Sequence, residues 1–221
     1  MKKTAVVCVA FVFIFAVASA NAATFTVSKI ADTNDGVCDS DCSLREAIAA
    51  ANSSATNDII EFNQTVFNTA QIIHLTNGAQ LQIINNGTLT INGTGANLLT
   101  VRGTNQSRIF SIGAGASATL NGINIAGSTF NGNGGGVANE GGTLALNNCK
   151  IGGNTAFLRG GGIHNNGTLN LTNSIVIGNL AVDGGGGIYN QSGTITLENT
   201  YIQSNSNGGI FNISGVLNIN N

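Results

Sequence analysis

The chain contains no proline and no tryptophan, and only 8% of its residues are charged and 5% aromatic. Without proline there is no Pro-rich linker to divide it, and 221 residues read as one domain behind a leader. Scarce charge, with a formal net charge of −2, removes any electrostatic pull toward nucleic acid or an anionic membrane. Low charge beside 31 glycines is a composition shared with disordered chains, but a hydrophobic content of 42% suffices for a core. After the leader no apolar run is long enough to span a bilayer, so the mature chain is expected not to insert into a membrane.

What is present starts with targeting signals. Lys2 and Lys3 form a basic start and Ala5 to Ala18 an apolar run, followed by Ala18-Ser-Ala20 and Ala20-Asn-Ala22 as small-x-small cleavage patterns. Residues 1–22 are expected to be a signal peptide, which places the mature protein in the periplasm, at the cell surface or outside the cell. Cys8 leaves with it. Export permits disulfides, and Cys38 and Cys42 are expected to bridge a small loop, leaving Cys149 as a buried free thiol.

From Gly134 onward the sequence aligns with itself. Val137, Ile163, Ile188 and Ile210 correspond at steps of 26, 25 and 22 residues, and Leu144, Leu169, Ile195 and Leu217 at 25, 26 and 22. Periods of that size mark a solenoid. The apolar pairs Leu144/Leu146, Leu169/Leu171, Ile195/Leu197 and Leu217/Ile219 alternate with period two, which is strand spacing. Glycine and asparagine separate the runs, so each repeat should hold about three short strands and three bends. One such coil cannot bury its apolar face alone, whereas a stack makes a continuous core. The expected fold is therefore all-β, a parallel β-helix, right-handed by the usual handedness of parallel crossovers. Three rows of asparagine recur at fixed places: Asn139/Asn165/Asn190/Asn212, Asn148/Asn173/Asn199/Asn221 and Asn154/Asn179/Asn205. They are expected to form amide ladders, one at each corner.

One segment has helical character. In CSLREAIAAAN, Ser43 and Glu46 make a capping box, and Leu44, Ala47, Ile48 and Ala51 share a face. A short helix over residues 43–52 would cover the open end of the stack. The last coil carries no such cap, so the strand GVLNINN is expected to be an open edge. Either the chain is a remnant of a longer surface protein, or that edge meets a partner or a second copy.

The stretch DTNDGVCDSDCSLREAIAAAN resembles the signature of bacterial exported proteins named for a CSLREA motif, and residues 42–47 carry all six letters. The later GG[VI] units are similar to repeats of polymorphic outer membrane proteins. The resemblance implies a right-handed β-helix at a cell surface or secreted. It says little about activity.

Related β-helices include polysaccharide lyases and hydrolases, which need clustered carboxylates, and in lyases Ca²⁺ and a base. In the clear repeats the acids are Glu140, Asp183 and Glu198, and Arg102, Arg108, Lys150 and Arg159 are equally scattered. No catalytic set is expected. The loop holding Asp32, Asn34, Asp35, Asp39 and Asp41 is the densest group of oxygen ligands and the one place for Ca²⁺, although it misses the EF-hand spacing and a disulfide-closed polar loop explains it equally.

His164, Tyr189 and Phe211 each follow the inward residue of a GG[VI] unit, so they should face outward and stack beside a groove floored by glycines, a platform of the kind that binds sugars or peptides. A threonine row, Thr88, Thr119, Thr143, Thr168 and Thr194, has irregular neighbours and reflects β-propensity. The function expected is a non-enzymatic interaction module, adhesive in character, whose partner is a glycan or a cell-surface protein. A polysaccharide lyase or hydrolase is the alternative.

Overall fold

The computed structural model describes residues 22–84 and 87–220. Residues 1–21, which hold nearly all of the expected leader together with Cys8, and Asn221 of the second asparagine row lie outside the described residues.

The fold is the expected parallel β-helix. Its strands fall into an eight-stranded sheet, two six-stranded sheets and a three-stranded sheet, and every strand pair is parallel. The eight-stranded face stacks Thr24–Val27, Asp58–Phe62, Thr88–Asn92, Ser117–Asn121, Thr143–Asn147, Thr168–Thr172, Thr194–Glu198 and Val216–Asn220. A second face runs from Gln71–His74 through Lys150–Gly152 and Ile175–Ile177 to Tyr201–Gln203. A third runs from Leu81–Ile83 through Phe110–Ile112, Val137–Asn139, Ile163–Asn165 and Ile188–Asn190 to Ile210–Asn212. The narrow fourth sheet, Thr129–Phe130, Thr155–Ala156 and Leu180–Ala181, adds a strand to the three expected per repeat. Runs of two residues are too short to show alternation, which is why they escape a reading by period.

Register is set by the inward residues. Leu144 pairs with Leu169 and Leu169 with Ile195, and Val137 with Ile163 and Ile163 with Ile188, all of them fully buried. With strands about 4.8 Å apart, each inward side chain rests on its counterpart one coil away. Bringing coils this close also requires bare backbone: a Cβ on Gly161 would run into the Leu180 carbonyl oxygen, and one on Gly186 into that of Ser206.

The early coils correct one alignment. Thr88 pairs with Ser117, not with Thr119, and Ser117 with Thr143, while Thr119 lies between Thr90 and Ala145. Ala118 holds the core place taken by Leu89 and Leu144 in the neighbouring coils, so the leucine pattern misleads by two residues there.

The cap is present as Leu44–Asn52, with Ser43 as N-cap and a complete capping box. Leu44, Ala47, Ile48 and Ala51 are buried against the first coils, as their spacing predicts. Arg45 and Glu46 are buried too, and both are paired. The Arg45 guanidinium grips Asp32 at 2.7 and 3.0 Å and donates to the carbonyls of Ala79 (2.8 Å) and Gln80 (3.1 Å). Glu46 accepts from the Ser43 and Asp35 backbone amides at 2.7 and 3.1 Å and from the Thr33 hydroxyl at 3.1 Å. Burial raises the pKa of Glu46, but these hydrogen bonds outweigh it and hold the carboxyl below its usual range. Cys42 is bonded to Cys38 at 2.03 Å. All six letters of CSLREA therefore have work in the cap: disulfide, N-cap, core, ion pair, capping box, core.

Candidate functional site

Two rows of largely buried asparagine hold coils together. In the first asparagine row the Asn139 amide donates to Asn165 at 2.8 Å, Asn165 to Asn190 at 2.8 Å and Asn190 to Asn212 at 2.7 Å. In the third row Asn154 donates to Asn179 at 3.1 Å and Asn179 to Asn205 at 3.0 Å, and each amide also reaches a backbone carbonyl on the other side (Ile125, Ile151). These two ladders match the expectation. The second row does not. Asn148, Asn173 and Asn199 are exposed, with left-handed backbone at φ 53°, 50° and 46°, and no hydrogen bond joins their side chains. The bend uses the tolerance of asparagine for that backbone, and the amide is left facing water. A ladder the sequence reading missed runs on the outer side of the eight-stranded face, where Asn147 donates to Asn121 (2.9 Å), Asn121 to Asn92 (2.7 Å) and Asn92 to the Glu61 carboxylate (2.8 Å). Its signal is the shared place of all three asparagines at the end of a five-residue strand.

The ring column forms but is closed. His164 stacks on Tyr189 with centroids 5.6 Å apart and Tyr189 on Phe211 at 5.5 Å, each pair 6° from parallel. His164 and Tyr189 are only 2% and 3% exposed, and Phe211 alone is open, at 44%. The glycines expected to floor a groove instead form its lid: a Cβ on Gly185 would lie 2.9 Å from that of Tyr189, and Gly184 lies against Phe211. The Arg159 guanidinium closes over Tyr189 at 5.1 Å. Both His164 ring nitrogens are buried. Burial pushes the His164 pKa down, Glu140 opposes this, and Arg108 adds to it, so the stack favours the uncharged ring.

The acidic loop does not converge. Asp32 is committed to Arg45 and to the Asn77 backbone amide (3.0 Å). Asp35 accepts from the Val37 amide (3.0 Å) and Asp39 from the Asp41 amide (2.9 Å), and Asp41 pairs with Lys29 at 3.0 Å. No group of three His, Cys, Asp or Glu side chains arranged to hold a metal ion occurs among the described residues. The repeat carboxylates are equally dispersed. Glu140 pairs with Arg108 at 2.9 Å, and Glu198 stands between Thr172 and Asn220 in its sheet. Cys149 is a buried free thiol, donating at 3.3 Å to the carbonyls of Leu120 and Asn147, its pKa raised by burial to about 11.

Two outward features were passed over in the sequence reading. One is a strip beside the fourth sheet where Phe157, Leu158, Leu180 and Val182 are 51%, 44%, 40% and 57% exposed. The other is the bend carrying Asn173 and Asn199, next to an exposed Tyr201. Comparison with protein-family models, with curated proteins and with solved structures returned no match.

Proposed function

We propose that the chain is an exported, non-enzymatic interaction module that presents the flank of a rigid solenoid to a glycan or a cell-surface protein. The observation that carries this reading is the apolar strip. Phe157 and Val182 come from adjacent coils brought side by side, Phe157 donating its backbone N–H to Phe130 (2.9 Å) and Val182 to Ala156 (3.2 Å). Large side chains gathered and left exposed together mark a contact site. The basic-then-apolar start, the resemblance of residues 42–47 to exported CSLREA proteins and the Cys38–Cys42 disulfide support the export half of the reading.

The test is adhesion of the purified protein to cells and extracellular matrix, alongside glycan arrays. Binding is expected, with Phe157→Ser and Val182→Ser reducing it and leaving the melting temperature in place. Uniformly negative adhesion and array results would sink the proposal. Release of products from acidic polysaccharides would replace it with the lyase or hydrolase alternative.

A further inference from the structure

The bend between the eight-stranded face and the second face is a trench along the solenoid axis. One wall is the column Asn148, Asn173, Asn199, one exposed asparagine per coil. The other wall is Lys150, Ile175 and Tyr201, which pair in register across successive second-face strands. Ile175 is 37% and Tyr201 67% exposed. Their outward aspect comes from the pleat, since the next residue along, Val176, is fully buried in the core. Between the walls lies a cavity of about 390 Å³ lined by Asn173, Ser174, Ile175, Asn199 and Tyr201.

The chemistry of the two walls is complementary to sugar. A carboxamide offers both a donor and an acceptor, which suits a pair of neighbouring hydroxyls, and here the amides are unspent. Left-handed backbone fixes where each amide starts, so little freedom is lost when it is engaged. A phenol ring presents a flat apolar face to the C–H face of a pyranose, with a hydroxyl at its rim. The flanking charges, Lys150 and Glu198, are one of each sign, which favours no acidic ligand. Coils repeat at about 4.8 Å, close to the advance per residue of an extended β-linked glycan, so successive amides meet successive sugar rings.

The geometry points to a binding site for an extended neutral β-linked oligosaccharide, lying along the axis with one ring on Tyr201 and its hydroxyls on Asn173 and Asn199. The site rests on the interaction-module reading and names the ligand class and the surface. It is distinct from the apolar strip.

The experiment is titration of the purified protein with cellohexaose, xylohexaose and chitohexaose, followed by isothermal calorimetry and by amide chemical shifts. At least one should bind, with shifts confined to residues around 173–175 and 199–201. Tyr201→Ala should weaken binding about tenfold, Asn199→Gly several-fold, and Tyr201→Phe by less than about twofold. Circular dichroism and melting should not change, because both side chains are exposed and glycine keeps the left-handed backbone at position 199. No binding at about 10 mM, where a millimolar site is mostly filled, overturns the proposal, and so does a Tyr201→Ala protein that binds like the parent. A protein that adheres to cells but binds none of the three sugars sinks the trench and leaves the module reading standing. A protein that does neither sinks both.

Discussion

One column of the third face passes through both halves of the molecule and changes chemistry on the way. Its residues are Ile83, Ile112, Asn139, Asn165, Asn190 and Asn212, each paired in register with the next. In the early coils, whose turns vary in length, the place is filled with isoleucine, and order is imposed by a cap rich in ions. In the later coils the place is filled with an amide that bonds the one above it. Aliphatic packing is non-directional and tolerates irregular coils. An amide bonds in one register only, and steps of 26, 25 and 22 residues all return the asparagine to it, the bends absorbing the difference. Along this column the early half is held by aliphatic packing and the later half by a chain of amides.

The sharpest way to break that contrast is Arg45→Ala. It leaves Asp32 buried without its cation and should cost about 3–5 kcal/mol in denaturant unfolding, more than any single change in a ladder. Next comes the pair Asn165→Ala and Asn173→Gly, the glycine keeping the left-handed backbone of the bend. The first leaves the buried Asn190 oxygen without its Asn165 donor, while the Asn139 amide keeps the Gly142 and Thr168 carbonyls, and should cost about 1–3 kcal/mol; the second removes an exposed amide, keeps a residue suited to left-handed backbone, and should stay within about 0.5 kcal/mol. Equal effects from the two asparagines would show that ladder bonding contributes nothing beyond the bend.

The halves should also separate by pH. The folded pKa of His164 is lowered, so the unfolded chain takes up the proton first, and stability present above pH 6.5 is lost as pH falls through that value. Glu46, also lowered, contributes stability above pH 4.5 that is lost as pH falls below it. Melting curves should show the His164 step first, and His164→Phe, which keeps the stack, should remove that step alone. Smallest in effect, Cys149 should resist alkylation at pH 8 in the folded protein and react on unfolding, read by mass spectrometry of its peptide. Its pKa of about 11 leaves almost no thiolate.

The later coils were legible because their letters repeat in place. Val137, Ile163 and Ile188, the two interior asparagine ladders and the cap helix all follow from spacing. The bend asparagines share a letter with the ladder ones, and sequence does not distinguish an amide used for bonding from one used for left-handed backbone. The ring platform failed for a similar reason. Gly184 and Gly185 look alike whether they floor a groove or roof it, because a residue with no side chain carries no mark of which side it covers. The Arg45–Asp32 pair was hidden by its separation of 13 residues across a loop without periodicity. Tyr201 was passed over, because its alignment with Ile175 and Lys150 and its outward place in the pleat come from the strand register.

The matched register of the later coils makes length a quantity that heredity can adjust. A duplicated stretch running from one GG[VI] unit to the next would bring its own leucines, its own glycine bends and an amide already aligned to accept from the floor below and donate to the floor above. The solenoid can be extended like a ruler, one graduation at a time, and any binding surface along its flank would lengthen with it.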